Sequence, residues 1–301
     1  MQGRSLTVLT LACTAALADT TFAADLEAPP PLAPPATVAP EPGWQFRFAP
    51  YAWLTSLDGS STVHGIKTNV DISFIDLVQK SDTIAALMGY AEVRHDRWSV
   101  FGDINWSRLT ASGGKVKQRT LPVGVDLTRG IQANLTFTMF IGEAALGYEV
   151  IRWPWSATSA TSLDVLGGLR YWNLSADLRL DLAVAANLAA SNFTVLGGRA
   201  FGRSGTLDWT DPIVGFRIRH SLTPDDDLQL RADLGGFGVG SKFTWQAFGG
   251  YSHRFMWASQ PIDAFVGYRA LYVDYSQGSG VTRSGMNMVI HGPVIGAVFE
   301  F

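Results

Sequence analysis

From Trp44 to the end of the chain, apolar and polar residues alternate with a period of two, broken at intervals by turn-forming clusters. That period belongs to extended strands with one apolar and one polar face. The closing segment shows it clearly. Stepping back from Phe301 by alternate residues gives Phe299, Ala297, Ile295 and Pro293, while the opposite face carries Glu300 and the glycines at 296 and 292. Ten such segments can be read: 44–54, 83–95, 98–106, 134–150, 162–174, 208–221, 227–236, 242–256, 262–275 and 286–301. Their lengths match what a tilted strand needs to cross a bilayer.

The pattern predicts an all-β fold, a single transmembrane antiparallel up-and-down β-barrel of ten strands. Eight strands would require merging clear segments, and twelve would turn 60–72 and 182–200 into spanning strands. An even count places both termini on one side of the membrane. The connections 95–97, 153–161, 223–227 and 259–261 are short and suit the periplasmic side. Those at 55–82, 107–133, 175–207 and 276–285 are mostly longer and suit the outside, with 238–241 a compact exception. Ser73 to Gln79 reads as a short amphipathic helical turn able to fold over the barrel mouth.

Extending the facing rule through all ten segments puts Arg47, Arg94, Arg170, Arg217, Arg219, Arg231, Arg254 and Arg269 inward. Glu92, Asp103, Glu143, Glu149, Asp164, Asp211, Asp233, Asp263 and Glu300 share that face. An Arg or Lys facing lipid at mid-depth costs about 2–4 kcal/mol, which fixes these charges in the lumen. Arg outnumbers Lys 18 to 5, as suits planar pairing with carboxylates in a confined space. Such a network either crosslinks and plugs the barrel or lines a narrow path for small solutes. Ten strands leave room for a narrow pore at most, because about eight are already filled by side chains.

Composition agrees with the pattern. There are 31 glycines, 12% aromatics and only 16% charged residues, the mixture that half-apolar strands produce. The net charge of −3 points to no nucleic-acid partner. Arg4 followed by the apolar stretch Leu6–Ala18 reads as a secretory signal peptide, residues 1–23, cleaved after Ala18 or Ala23. Cys13, the single cysteine, falls inside it. Residues 24–43 are a Pro-rich, extended periplasmic linker, leaving 44–301 as the barrel. The expected location is the outer membrane with both termini periplasmic. The expected partners are its lipids, lipopolysaccharide and the barrel-assembly machinery, for which Phe299 and Phe301 form the recognition signal.

Candidate chemistry is sparse. His95, His220 and His253 sit near the periplasmic strand ends and read as interfacial residues, with no nucleophile pattern beside them. His291 falls on the lipid-facing parity. His64, with Asp58 and Asp71 in sequence reach, gives only a faint protease-like constellation. Asp225-Asp226-Asp227 after Thr223-Pro224 reads as a turn. Lys115, Lys117, Arg119, Arg129, Arg199, Arg203, Lys242 and Arg283 in the external loops are placed to meet lipopolysaccharide phosphates, diluted by Asp126, Asp177 and Asp181. No catalytic, cofactor or metal site is expected.

Three segments carry a resemblance: Asp211-Pro-Ile-Val-Gly-Phe-Arg-Ile-Arg219, the run from Asp233 to Gln246, and Gly267-Tyr-Arg-Ala-Leu-Tyr-Val-Asp-Tyr275. Together with Pro50–Leu54, Val70–Phe74 and Gly292–Phe301, they resemble an uncharacterised family of Gram-negative outer-membrane barrels. The resemblance implies an outer-membrane location and a porin-like or structural role, and it transfers no catalytic residue. Two positions depart from the family pattern. Glu300 stands where an Arg is common between the terminal aromatics, and the Gly-Tyr-Arg pattern reads Gly250-Tyr-Ser-His-Arg254. The sequence therefore predicts a charged-lumen barrel, structural or narrowly porin-like. The alternatives are an adhesin or lipopolysaccharide-contact protein and, remotely, an outer-membrane enzyme.

Overall fold

The computed structural model describes residues 43–63, 65–112, 133–180, 201–257 and 260–301. The signal-peptide and linker expectations lie outside them except at Gly43, as do His64, the charged loop residues 115–129, Asp181 and Arg199. The strands are β1 (Trp44–Trp53), β2 (Ser56–Val63), β3 (Ile66–Ile72), β4 (Thr83–His95), β5 (Trp98–Ser112), β6 (Ala133–Pro154), β7 (Ala160–Leu180), β8 (Phe201–Ser221), β9 (Asp226–Gly235), β10 (Phe243–Trp257), β11 (Gln260–Gln277) and β12 (Ser284–Glu300). Helix α1 (Phe74–Lys80) lies between β3 and β4. No helix among the described residues is long and apolar enough to cross a membrane.

Ten strands close a ring in the order β1, β4 to β12 and back to β1, each antiparallel to its neighbours. Following paired residues round the ring from Arg47 leads through Glu92, Phe101, Ala145, Gly168, Ile213, Gly235, Thr244, Val273 and Met288, and returns at Gly59. The strands are therefore staggered by twelve residues per circuit, a shear that goes with a strand tilt of roughly 40°. Closure removes the free sheet edges that an open sheet would present.

The first external connection is not a plain loop. β2 continues β1 on the same partner, β12, without a register change, since Trp53 faces Val294 and Ser56 faces His291. Its other side leaves β4 and pairs with β3 instead. The β1–β4 pairing stops at Pro50 and Gly89, where the wall forks. Segment 60–72 thus forms paired strands that extend the wall without spanning. Outward-facing Trp106 lies opposite Leu87, just beyond the fork, so the unpaired edge of β4 begins beside a bulky aromatic of the kind that marks a membrane interface. Helix α1 follows the fork, capped by Ser73, whose hydroxyl accepts from the Asp76 amide.

At the opposite end the connections are tight. Asp96 takes a left-handed φ of 51° in the turn between β4 and β5, a conformation Asp tolerates better than most residues. The outer wall carries Phe46, Phe48, Leu87, Val100, Ile104, Leu146, Leu169, Val214, Leu230, Val266 and Ile295, all exposed. Trp44 packs on His95 and Trp98 on Tyr148, both with tilted rings, at the tight-turn end. Trp245 and Phe243 meet Tyr272 toward the long-loop end. An apolar band with aromatics at both rims is the surface that a transmembrane barrel presents to lipid.

Candidate functional site: a two-storey lumen

The inward positions divide by height. Toward the long-loop end they are apolar: Trp53, Leu57, Val70, Met139, Ile141, Trp172, Leu174, Trp209, Leu271, Val273, Tyr275, Met286, Met288, Ile290 and Val294 form one buried cluster. Three of its rings stack in series, Trp172 on Trp209 at 5.4 Å and Trp209 on Tyr275 at 3.8 Å between centroids. Strand parity could have shown this cluster, because Trp172 and Trp209 share the inward face with Arg170 and Asp211 on the same strands. The sequence reading attended to the charges and missed the apolar fill above them.

Below that storey lies the charged one, in three groups. The central group joins Arg170, Arg231 and Arg269 to Glu143, Asp233 and Asp103. Arg170 is fully buried; its Nε donates to Glu143 Oε1 at 2.8 Å and its Nη2 to Asp233 Oδ1 at 2.7 Å. Arg231 Nη2 donates to Glu143 Oε2 at 2.6 Å. Arg269 reaches both Asp103 Oδ1 and Glu143 Oε1 at 3.3 Å and fixes Gln246 through its Nε at 2.8 Å. Tyr51 donates to Asp103 at 2.8 Å. Three guanidinium groups on one buried carboxylate satisfy the rule that a desolvated charge needs close partners.

The second group lies nearer the tight turns. Arg217 holds Glu92 with both terminal nitrogens, at 2.7 and 3.0 Å, and Asp164 with Nε and Nη2. Arg94 bridges Glu149 at 3.0 Å and Asp164 at 2.8 Å, while Arg219 adds a third contact to Asp164 at 3.1 Å. Arg152 pairs with Glu149. Phe101 separates this group from the central one, with Arg217 and Arg231 against its ring at 5.5 and 4.9 Å. The third group sits at the seam where the ring closes. Glu300 accepts from Arg47 Nε and Arg254 Nη2, both at 2.7 Å, and Arg254 also holds Asp263.

The two departures from the family pattern therefore meet. Glu300 on β12 accepts from Arg254 on β10, across the intervening β11. Asp211 also faces the lumen, yet it joins no arginine among the described residues. It accepts from Trp209 Nε1 at 3.0 Å and from the Ser241 amide at 2.6 Å. Those bonds tie the β9–β10 turn to the wall, where Gly236 adopts a φ of 83° and a Cβ would stand 2.3 Å from the Ser241 hydroxyl. Phe299 lies on β12 opposite Phe48 and Ile262, and Phe301 exchanges backbone hydrogen bonds with Phe46.

The described histidines occupy the outer surface or the rims. His253 contacts Asp226, which also accepts from Tyr251 and Thr223 in the 223–227 turn. His220 meets Thr161. The imidazole beside Asp58 belongs to His291, which lies between Asp58 and Tyr268 on the outer wall. Among the described residues no cluster of His, Cys, Asp and Glu could hold a metal ion.

Fold and interior together define a closed antiparallel β-barrel of the transmembrane type whose lumen is filled in its long-loop half. No protein-family model and no curated protein matches the chain. Solved barrels are similar to it at low identity. The translocator domain of the autotransporter NalP from Neisseria meningitidis is 14% identical, with 87% of this chain and 90% of that one covered and a TM-score of 0.43. Ail from Yersinia pestis, solved with the heparin analogue sucrose octasulfate, is 11% identical over 87% and 100%, with a TM-score of 0.30. The toluene transporter TbuX from Ralstonia pickettii is 14% identical over 87% and 90%, with a TM-score of 0.31. The strand register and the interior carry the reading below.

Proposed function

We propose that the chain is an outer-membrane barrel, with both termini in the periplasm, whose lumen is closed at rest and whose role is structural, not porin-like. One observation carries this reading. Apolar side chains fill the long-loop half, and the arginines beneath them are held by carboxylates from opposite walls, as in the Arg217–Glu92 and Arg269–Asp103 pairs. No solute can pass without displacing the apolar storey. Proteoliposomes containing the purified barrel are expected not to swell in small sugars. Swelling at the rate of an open porin overturns the proposal.

Surface contact is a second reading, favoured by the lengths of β6, β7 and β8. At 21 or 22 residues each, they are about twice as long as a bilayer crossing requires and carry the wall well beyond it. Binding of whole cells or lipopolysaccharide that disappears when residues 113–132 are trimmed, in a barrel that still folds, supports this role. Unchanged binding removes it.

A further inference from the structure

The charged storey leaves a cavity of about 360 Å³ at the tight-turn end of the barrel. Asp96 of a turn and Ser221 and Asp227 at strand ends line its outer part, while Tyr51, Gln246 and Arg269 line its inner part. Two guanidinium groups face it with donors to spare. Arg219 bonds only Asp164 among the described residues, through Nη2 alone, and shares that carboxylate with Arg94 and Arg217. Among the described residues Arg47 bonds only Glu300, through Nε alone. Glu92 lies within electrostatic reach of both.

The charge count around Arg219 is uneven. Three guanidinium groups, those of Arg94, Arg217 and Arg219, converge on the single carboxylate of Asp164. Of the lining carboxylates, Glu92, Asp103, Asp263 and Glu300 each already accept from an arginine, while Asp96 and Asp227 stand at the outer mouth. Arg219 is also the centre of a polar row across three strands, directly paired with Ser162 on β7 and Gln229 on β9. Both neighbours line the cavity. Neither has a side-chain hydrogen bond of its own among the described residues.

We infer that this cavity binds one small oxyanion, a phosphate or a carboxylate, between Arg219 and Arg47. Arg219 supplies its Nε and Nη1 hydrogens, Arg47 its two terminal nitrogens, and Ser162 and Gln229 complete the shell. Guanidinium groups suit such ligands because their donors are planar and paired. The closed storey above makes the cavity a dead end, so the anion enters and leaves at the tight-turn end. On the orientation proposed above that end faces the periplasm, although the binding itself does not depend on the orientation.

The test is calorimetric titration of the full folded barrel in zwitterionic detergent with inorganic phosphate and, separately, with succinate. Saturable binding of either anion at one site is expected. Arg219→Gln and Arg47→Gln should each weaken it about tenfold, the worth of a charge-assisted hydrogen bond, whereas Asp58→Asn on the outer wall should leave it unchanged. Binding of phosphate alone or succinate alone identifies which chemistry the site prefers. Where a variant loses the folded-barrel mobility shift on gels, selenate-soaked crystals of the unaltered protein give an independent reading, with an anomalous peak expected between Arg47 and Arg219. No saturable binding of either anion, binding unaltered in the folded double variant, or selenate bound elsewhere overturns the inference. A swelling-competent barrel that still binds at Arg219 would overturn the closed lumen and leave the anion site standing.

Discussion

The two storeys of the lumen solve the same filling problem with opposite chemistry. In the long-loop half, Trp172, Trp209, Leu271 and Ile290 exclude water by volume. In the tight-turn half, Glu143, Arg170, Asp164 and Arg217 are as deeply buried, and they fill space only because each charge finds several partners. Apolar packing is tolerant, since its energy is spread over many small contacts. A buried ionic network is intolerant, because deleting one member strands the others. Mutations should therefore separate the storeys by how cost depends on shape and on charge.

The largest effect is expected at the centre of the network. Glu143→Gln keeps the shape but leaves Arg170, Arg231 and Arg269 with a neutral partner, and should destabilise the barrel by about 3–5 kcal/mol in urea unfolding from lipid or detergent. A cost under about 1 kcal/mol would show that solvent screens this group. Leu271→Ala in the apolar storey should come next, at about 2–5 kcal/mol depending on how far the neighbours collapse. Met288→Leu, which conserves volume, should cost less than about 1.5 kcal/mol. If Met288→Leu proves as damaging as Glu143→Gln, the contrast between the storeys fails.

The smallest effect lies outside the lumen, at α1. Hydrogen bonds from Lys80 and then Ser73 hold the Asp76 carboxyl below its usual value. A carboxylate with a depressed folded-state pKa contributes its stabilisation above the unfolded value of about 3.9, and that stabilisation is lost as pH falls through the folded value. Hydrogen exchange at the α1 amides should therefore quicken in acid, after correction for intrinsic rates, with the amides of the charged storey unaffected. Asp76→Asn should abolish the dependence. Equal pH dependence in the variant would assign it to another group.

Much of this was legible in the sequence because period two fixes facing. Alternation alone turned Arg47, Glu92 and Arg217 inward and left Phe46 and Phe48 on the lipid side. Partners were not legible, because a closed barrel brings together residues far apart in the chain, such as Arg217 with Glu92 and Arg269 with Asp103. The β2–β3 hairpin was hidden for another reason. Its Ser-, Gly- and Thr-rich run resembles a loop, and it is strand because the long-loop half of β12 offers it an unpaired edge. The Glu300–Arg254 contact shows the same limit, since each residue alone looked like a departure.

The central claim is that the lumen is closed at rest by its apolar storey, above a charged storey that holds a cavity. Single-channel recording of the purified barrel in planar bilayers tests it most directly, with the unaltered protein beside Trp172→Ala/Trp209→Ala and Arg217→Ala/Arg269→Ala. The account predicts silence from the unaltered barrel and from the folded arginine double variant, with conductance steps only where the Trp172 and Trp209 rings are removed. Reproducible steps from the unaltered barrel would contradict it.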